Sequence, residues 1–220
     1  MPMTYTHTTE DYTIAVWHTT EDLEQLRQSI TLDDYTQKTL QTCKLHRCRE
    51  LLGTRHLLNI LLEESVTITK GDNGRPIIAE YPNHNISISH SGEYSAVMLS
   101  HAHTRIGIDI QMHRESIARI AYKFMTMEEV ENTSIPVQHF YWGIKESVFK
   151  AWSKGGVAFR EMIKISPFDI LSDSRLQVET STLFVKDDIA LTFDAVGVVL
   201  DDCYLSWVIP TDISDHHTNQ

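Results

Sequence analysis

The sequence predicts an α+β fold made of two similar α+β halves packed as a pseudo-dimer. Two observations carry this. Each half holds one long helical stretch, residues 45–62 and 137–154, among runs that alternate apolar and polar residues as strands do. The order strand, helices, strands also occurs twice, with no linker rich in Pro, Gly or Ser between the two occurrences. Residues 1–104 form the expected first half and residues 105–220 the second.

The elements follow in chain order. Tyr12, Ile14 and Val16 alternate with polar or small residues and read as a first strand. Residues 21–30 read as a short helix and 45–62 as a long one that contains Gly53. Asp72, Asn73 and Gly74 mark a turn. Residues 86–89 and 96–100 read as two strands joined by a turn at Gly92.

Ile106, Ile108 and Ile110 alternate with Gly107, Asp109 and Gln111. A period of two sends the isoleucines to the core and sets Asp109 beside Gln111 on the other face, where Gly107 clears space. Helical stretches are expected at 117–124 and 126–131, and Thr126 and Glu129 have the spacing of a capping box. Val137, Phe140, Tyr141, Ile144, Val148, Ala151 and Trp152 recur at helical spacing, the buried stripe of a helix that Gly155-Gly156 ends. Glu146 and Lys150, four apart, neighbour each other on a different face, an arrangement an exposed ion pair would also give. Residues 163–210 read as short strands with turns at Asp187-Asp188 and Asp201-Asp202, and 212–220 as a frayed tail.

Composition narrows the function classes. With 220 residues, 41% hydrophobic and 22% charged, the chain has a globular balance. Its 30 acidic residues against 19 basic give a formal charge of −11, which argues against nonspecific nucleic-acid binding. No run approaches the roughly 20 apolar residues of a membrane helix, and residues 1–9 lack the apolar stretch of a signal peptide, so a cytoplasmic chain is expected. Cys43, Cys48 and Cys203 are odd in number and form no Cys-x-x-Cys clip, so free thiols are expected. His101 and His103 would share one face of a strand and His216 and His217 sit in the tail, but neither pair has partners at metal-site spacing.

Four motifs stand in order along the chain: Ile86-Ser87-Ile88-Ser89-His90-Ser91, Ile106-Gly107-Ile108-Asp109-Ile110, Phe124-Met125-Thr126-x-x-Glu129, and Trp142-x-x-Lys145-Glu146-Ser147-x-x-Lys150. Together with Gly74-Arg75-Pro76, they resemble the 4′-phosphopantetheinyl transferase superfamily. The likeness is to its larger, two-half monomeric type, which activates carrier proteins of peptide and fatty-acid synthesis.

That resemblance implies transfer of the 4′-phosphopantetheine group of coenzyme A to a serine of an acyl or peptidyl carrier protein, with release of 3′,5′-ADP. It implies a site at the junction of the halves, with coenzyme A bound on the side of the first. Asp109, Glu146 and Gln111 would hold Mg²⁺, which suits one or two carboxylates plus phosphate oxygens. Glu129 would be the base, Lys150 would stabilise the leaving group, and Glu146 would count with them as catalytic. Arg49, Arg75, Ser89, His90, Asp109 and Lys150 would contact coenzyme A.

Three departures from the family pattern matter. Gln111 stands where many relatives carry a third acidic ligand, and it brings no charge. The stretch before the long helix holds Asp33, Asp34 and Gln37 with only Lys38 basic, and Glu50 follows Arg49. Phe124-Met125-Thr126 also softens the usual motif at that place. These departures leave a second reading, a non-catalytic paralogue that binds coenzyme A or a carrier protein. Arg114, Arg119 and Lys123, beside Met125 and Met127, form a candidate carrier-binding patch.

Overall fold

The structure is a computed structural model that describes residues 3–71, 73–170 and 177–211, with the backbone alone at Asp34 and Tyr35. Asp72 of the expected turn, the side chain of Asp34, His216, His217 and the expected tail lie outside the described residues. The chain divides into two compact units, Met1–Ala102 and His103–Gln220. The fold is mixed α and β throughout.

The first unit opens with strands β1 (Met3–Thr8) and β2 (Tyr12–His18), then helices α1 (Leu23–Gln28), α2 (Asp34–Leu40) and α3 (Leu45–Leu62). Strands β3 (Ile68–Lys70), β4 (Pro76–Ile78), β5 (Asn85–Ser91) and β6 (Tyr94–Ser100) follow. The main sheet is antiparallel in the order β1-β2-β6-β5, and β3 and β4 form a separate hairpin. Helix α3 packs on β2 and β6, burying Leu57 and Leu58 against Ala15, Trp17 and Val97.

Three expectations change in this unit. Strand β1 precedes the one expected to be first; its sequence MTYTHT alternates Thr with Met, Tyr and His and holds no Val, Ile or Leu. His101 and His103 follow the end of β6 and do not share a strand face. Cys43 and Cys48 are joined in a disulfide, Cα atoms 5.9 Å apart, and only Cys203 is a free thiol. The chain reverses between the end of α2 and the first turn of α3, which brings together two cysteines five residues apart.

The second unit begins with β7 (Gly107–Met112) and two 3-10 turns, Glu115–Arg119 and Ala121–Lys123, where a longer helix was expected. Helices α4 (Met127–Glu131), α5 (Ile135–Trp152) and α6 (Phe159–Met162) follow. The chain then forms β8 (Ile163–Ile165), β9 (Gln177–Lys186), β10 (Ile189–Leu200) and β11 (Cys203–Pro210), paired antiparallel in the order β7-β11-β10-β9-β8. The expected turns at Asp187 and Asp201 are present, each with positive φ. The strands they join are long, 10 and 12 residues for β9 and β10. Helix α5 lies on β7, β11 and β10, and its Phe140, Ile144 and Val148 fill the core with Val178, Phe193 and Val208.

The units share a plan. In each, the first strand of the core pairs with the last, and the last pairs with the one before it: β2-β6-β5 in one, β7-β11-β10 in the other. Each has an 18-residue helix on that sheet, with glycine as its ninth residue. A Cβ on Gly53 would come within 2.8 Å of Thr19 Oγ1 and 3.0 Å of Ser95 Oγ on β6, and one on Gly143 within 2.7 Å of Ser206 Oγ on β11. Both glycines let a helix seat closely on the last strand of its sheet.

Candidate active site

The site residues of the second unit start from β7. Ile106, Ile108 and Ile110 are buried, as the alternation requires. The opposite face, with Gly107, Asp109 and Gln111, meets α5. A Cβ on Gly107 would stand 1.8 Å from the carbonyl oxygen of Ser147. Glycine is therefore needed for α5 to seat on the strand, which is the purpose of the cleared space. Ser147 locks the contact: its hydroxyl donates to Gly143 O at 2.8 Å and to Ser206 O on β11 at 3.1 Å.

This seating carries Glu146 and Lys150 to Asp109. Lys150 Nζ donates to Asp109 Oδ1 at 2.9 Å and to Ile108 O at 2.7 Å. Asp109 is 7% exposed, so the ion pair is well shielded and worth more than a surface pair. Glu146 shares the cluster. Burial pushes its carboxyl up to about 7, the Asp109 charge adds to the rise, and Lys150 opposes it. Two carboxylates thus feel each other's charge, and the Lys150 ammonium acts on both.

Gln111 is anchored by its amide: Nε2 donates to His139 O at 3.0 Å on α5. His139 is buried and stacked on Tyr204, ring centroids 4.3 Å apart and nearly parallel. Its Nε2 accepts the backbone N–H of Arg114 at 3.1 Å, a bond the protonated ring would forfeit. Burial lowers its pKa to about 4, with neighbouring His113 acting in the same direction.

Glu129 sits on a separate element. Thr126 caps α4 and forms the full capping box: Glu129 N–H donates to Thr126 Oγ1 at 3.2 Å, and Thr126 N–H donates to Glu129 Oε2 at 2.7 Å. The cap was one of the two roles its spacing allowed. It leaves the carboxylate partly exposed with one oxygen committed.

Lys145 lies on none of the exposed charge that its neighbours in the motif would allow. It is 1% exposed. Its Nζ donates to Phe124 O at 2.6 Å and Phe159 O at 3.1 Å, and burial pushes it down to about 8. The signal was available: Tyr141, Lys145, Val148 and Trp152 share one helical stripe, and all are buried.

The remaining candidates belong to the first unit. His90, on β5, has Arg47 Nη1 3.3 Å from Nε2 and Thr54 Oγ1 3.5 Å from Nδ1. The sequence reading singled out Arg49 and missed Arg47. Arg49 Nη1 donates to Glu93 Oε1 at 2.9 Å, and Arg47 Nη1 to Glu50 Oε2 at 2.9 Å. Ser89, also on β5, is buried. Arg75 lies in the turn between β3 and β4, its backbone N–H donating to Asn73 Oδ1 at 3.2 Å. In the expected carrier-binding patch, Arg114, Arg119, Lys123 and Met127 are exposed. Met125 is fully buried and takes no part in it.

The donor set at β7 and α5 suits a hard divalent cation. Among the described residues no group of three or more His, Cys, Asp or Glu is disposed to hold a metal. The two carboxylates present match what Mg²⁺ takes when phosphate oxygens and water complete its shell. Burial chiefly raises Glu146 and the Asp109 charge adds to it; a bound cation would offset both.

Residues 105–197, which hold the last three of the four motifs, match the model of the 4′-phosphopantetheinyl transferase superfamily, so the family resemblance is borne out over that stretch. The chain is also 26% identical over 149 residues to the 4′-phosphopantetheinyl transferase psf-1 of Bacillus pumilus. That alignment takes in 61% of this chain and 63% of the relative, so the chain spans less than two thirds of the relative's length.

Proposed function

We propose that this protein is a Mg²⁺-dependent 4′-phosphopantetheinyl transferase (a holo-carrier-protein synthase). It moves the phosphopantetheine of coenzyme A onto a serine of an acyl or peptidyl carrier protein. The observation that carries the reading is the Asp109–Glu146–Lys150 cluster, built by β7 and α5 inside the region that matches the superfamily.

In the reaction the serine oxygen attacks the phosphorus that bears pantetheine. The bond from that phosphorus to the bridging oxygen breaks, and 3′,5′-ADP leaves with the electron pair. Such chemistry is mostly positioning and charge neutralisation. Asp109 and Glu146, with Gln111 beside them, would hold Mg²⁺, whose charge when bound offsets that of the pyrophosphate. Lys150 stands where it can exchange Asp109 for a phosphate oxygen and stabilise the leaving group. Glu129 takes the serine proton, directly or through a water. Arg49, Arg75, Ser89 and His90 of the first unit contact coenzyme A, and Arg47, beside His90, joins them. The proposed setting is a cytoplasmic monomer serving fatty-acid or secondary-metabolite synthesis. Among the described residues no helix is long and apolar enough to cross a membrane. The Cys43–Cys48 disulfide is the observation that speaks against a reducing compartment.

One observation favours the second reading, a non-catalytic binder of coenzyme A or a carrier protein. Arg47 and Arg49 each already hold a carboxylate, which weakens them as phosphate contacts. Intact-mass analysis of an apo carrier protein incubated with this protein, coenzyme A and Mg²⁺ separates the two. The transferase reading expects a gain of one phosphopantetheine that Glu146→Ala abolishes. An unchanged carrier mass across several carriers, with coenzyme A still bound, supports the binder instead.

A further inference from the structure

Lys145, like Ser147, is a member of the Lys-Glu-Ser-x-x-Lys motif to which the proposed chemistry gives no part, but unlike Ser147 it carries a charge. Its ammonium is buried, and both of its hydrogen-bond acceptors are backbone carbonyls. Burying a charge is costly unless its donors are used. What it holds is therefore informative.

Phe159 opens α6, and its ring packs near Trp142 and Phe149 of α5. Phe124 follows the second 3-10 turn, two residues before Thr126. Met125, between them, is fully buried and has little freedom. The N–H of Thr126 then holds Glu129 Oε2 at 2.7 Å. A short rigid path thus runs from the ammonium on α5 through Phe124 O, Met125 and the Thr126 amide to the Glu129 carboxylate.

We propose that Lys145 is a positioning residue for Glu129. By gripping the carbonyl of Phe124 it fixes the start of α4 against α5, and so sets the Glu129 carboxylate relative to the helix that carries Glu146 and Lys150. An apolar side chain of the same length fills the space but donates to neither carbonyl. This inference rests on the transferase reading, in which Glu129 is the base.

The test compares Lys145→Met, Glu129→Gln and the double variant in the full chain. In Lys145→Met, amide hydrogen exchange at residues 125–130 should rise by about tenfold while the middle of α5 stays protected. Turnover should fall by about ten- to a hundredfold with KM for coenzyme A nearly unchanged. The double variant should be no slower than Glu129→Gln alone, because both changes remove one function. If Lys145→Met does not fold, Lys145→Gln, which keeps a neutral donor, is read by the same criteria.

Unchanged exchange at residues 125–130, unchanged turnover, or losses that multiply in the double variant overturn the inference while leaving the transferase reading intact. A wild-type protein that transfers nothing to any carrier, or a Glu129→Gln variant as fast as wild type, overturns Glu129 as base and this inference with it.

Discussion

At the scale of single residues, the β7–α5 cluster holds charges where water screens them poorly. Asp109 is nearly buried and Glu146 is half-buried beside it, so a divalent cation is the natural complement to the pair. Coenzyme A should therefore bind more tightly with Mg²⁺ than without, by roughly tenfold or more. Asp109→Ala should erase the difference in isothermal titration calorimetry. A native protein indifferent to Mg²⁺ would remove the metal assignment. Glu129→Gln should slow transfer while leaving coenzyme A affinity close to wild type; lost affinity would assign Glu129 to the cap alone. Gly107 makes a different demand. A Cβ there would sit 1.8 Å from Ser147 O, so Gly107→Ala should cost about 3 kcal/mol or more by displacing α5. Urea denaturation measures this, and a cost under about 1 kcal/mol would show that α5 can shift without penalty.

At the scale of elements, α5 organises the site and also makes it sensitive to acid. His139 is neutral when folded, with a pKa of about 4, against about 6.5 for an unfolded histidine. Between those values the unfolded chain binds a proton that the folded chain does not. The stability that the neutral ring contributes is thus complete above about pH 6.5 and is lost as pH falls toward 4. For this residue the loss is on the order of 3 kcal/mol. His139→Gln should flatten the fall in unfolding free energy over that window. A slope identical to wild type would mean that the ring titrates normally. Much of this element was legible in the sequence. The stripe from Phe140 to Trp152, the strand of alternating isoleucines and the Thr126–Glu129 box each have local periodicity or spacing, and the structure has all three. The burial of Lys145 was not read. Its charge outweighed its place in the Tyr141–Val148 stripe, and its partners, the carbonyls of Phe124 and Phe159, are 21 and 14 residues away. Backbone acceptors at that distance leave no mark in composition. β1 and the Cys43–Cys48 bond escape the sequence for other reasons: one has no aliphatic signal, and the other depends on the path of the chain between α2 and α3.

At the scale of the whole molecule, two units repeat one plan, each with an 18-residue helix carrying glycine at its ninth residue against a serine of the last strand. Gly53→Ala and Gly143→Ala should therefore destabilise to a comparable extent, about 1–3 kcal/mol each. Thermal or urea unfolding of the pair checks this, and a large cost at one with none at the other would break the parallel. The acidic balance of the chain, −11 overall, also bears on the partner. On the proposed function the partner is an acidic carrier protein that the net charge repels, and the exposed Arg114, Arg119 and Lys123 would offset that. Charge reversal there should raise KM for the carrier and leave KM for coenzyme A alone. The central claim is that the Asp109–Glu146–Lys150 cluster transfers phosphopantetheine, and the most direct test counts both products of one reaction. With coenzyme A, Mg²⁺ and an apo carrier, we expect one 3′,5′-ADP released for each phosphopantetheine gained by the carrier. Neither product should form in Glu146→Ala. Coenzyme A bound but intact, with no 3′,5′-ADP released and no carrier modified, would contradict the account.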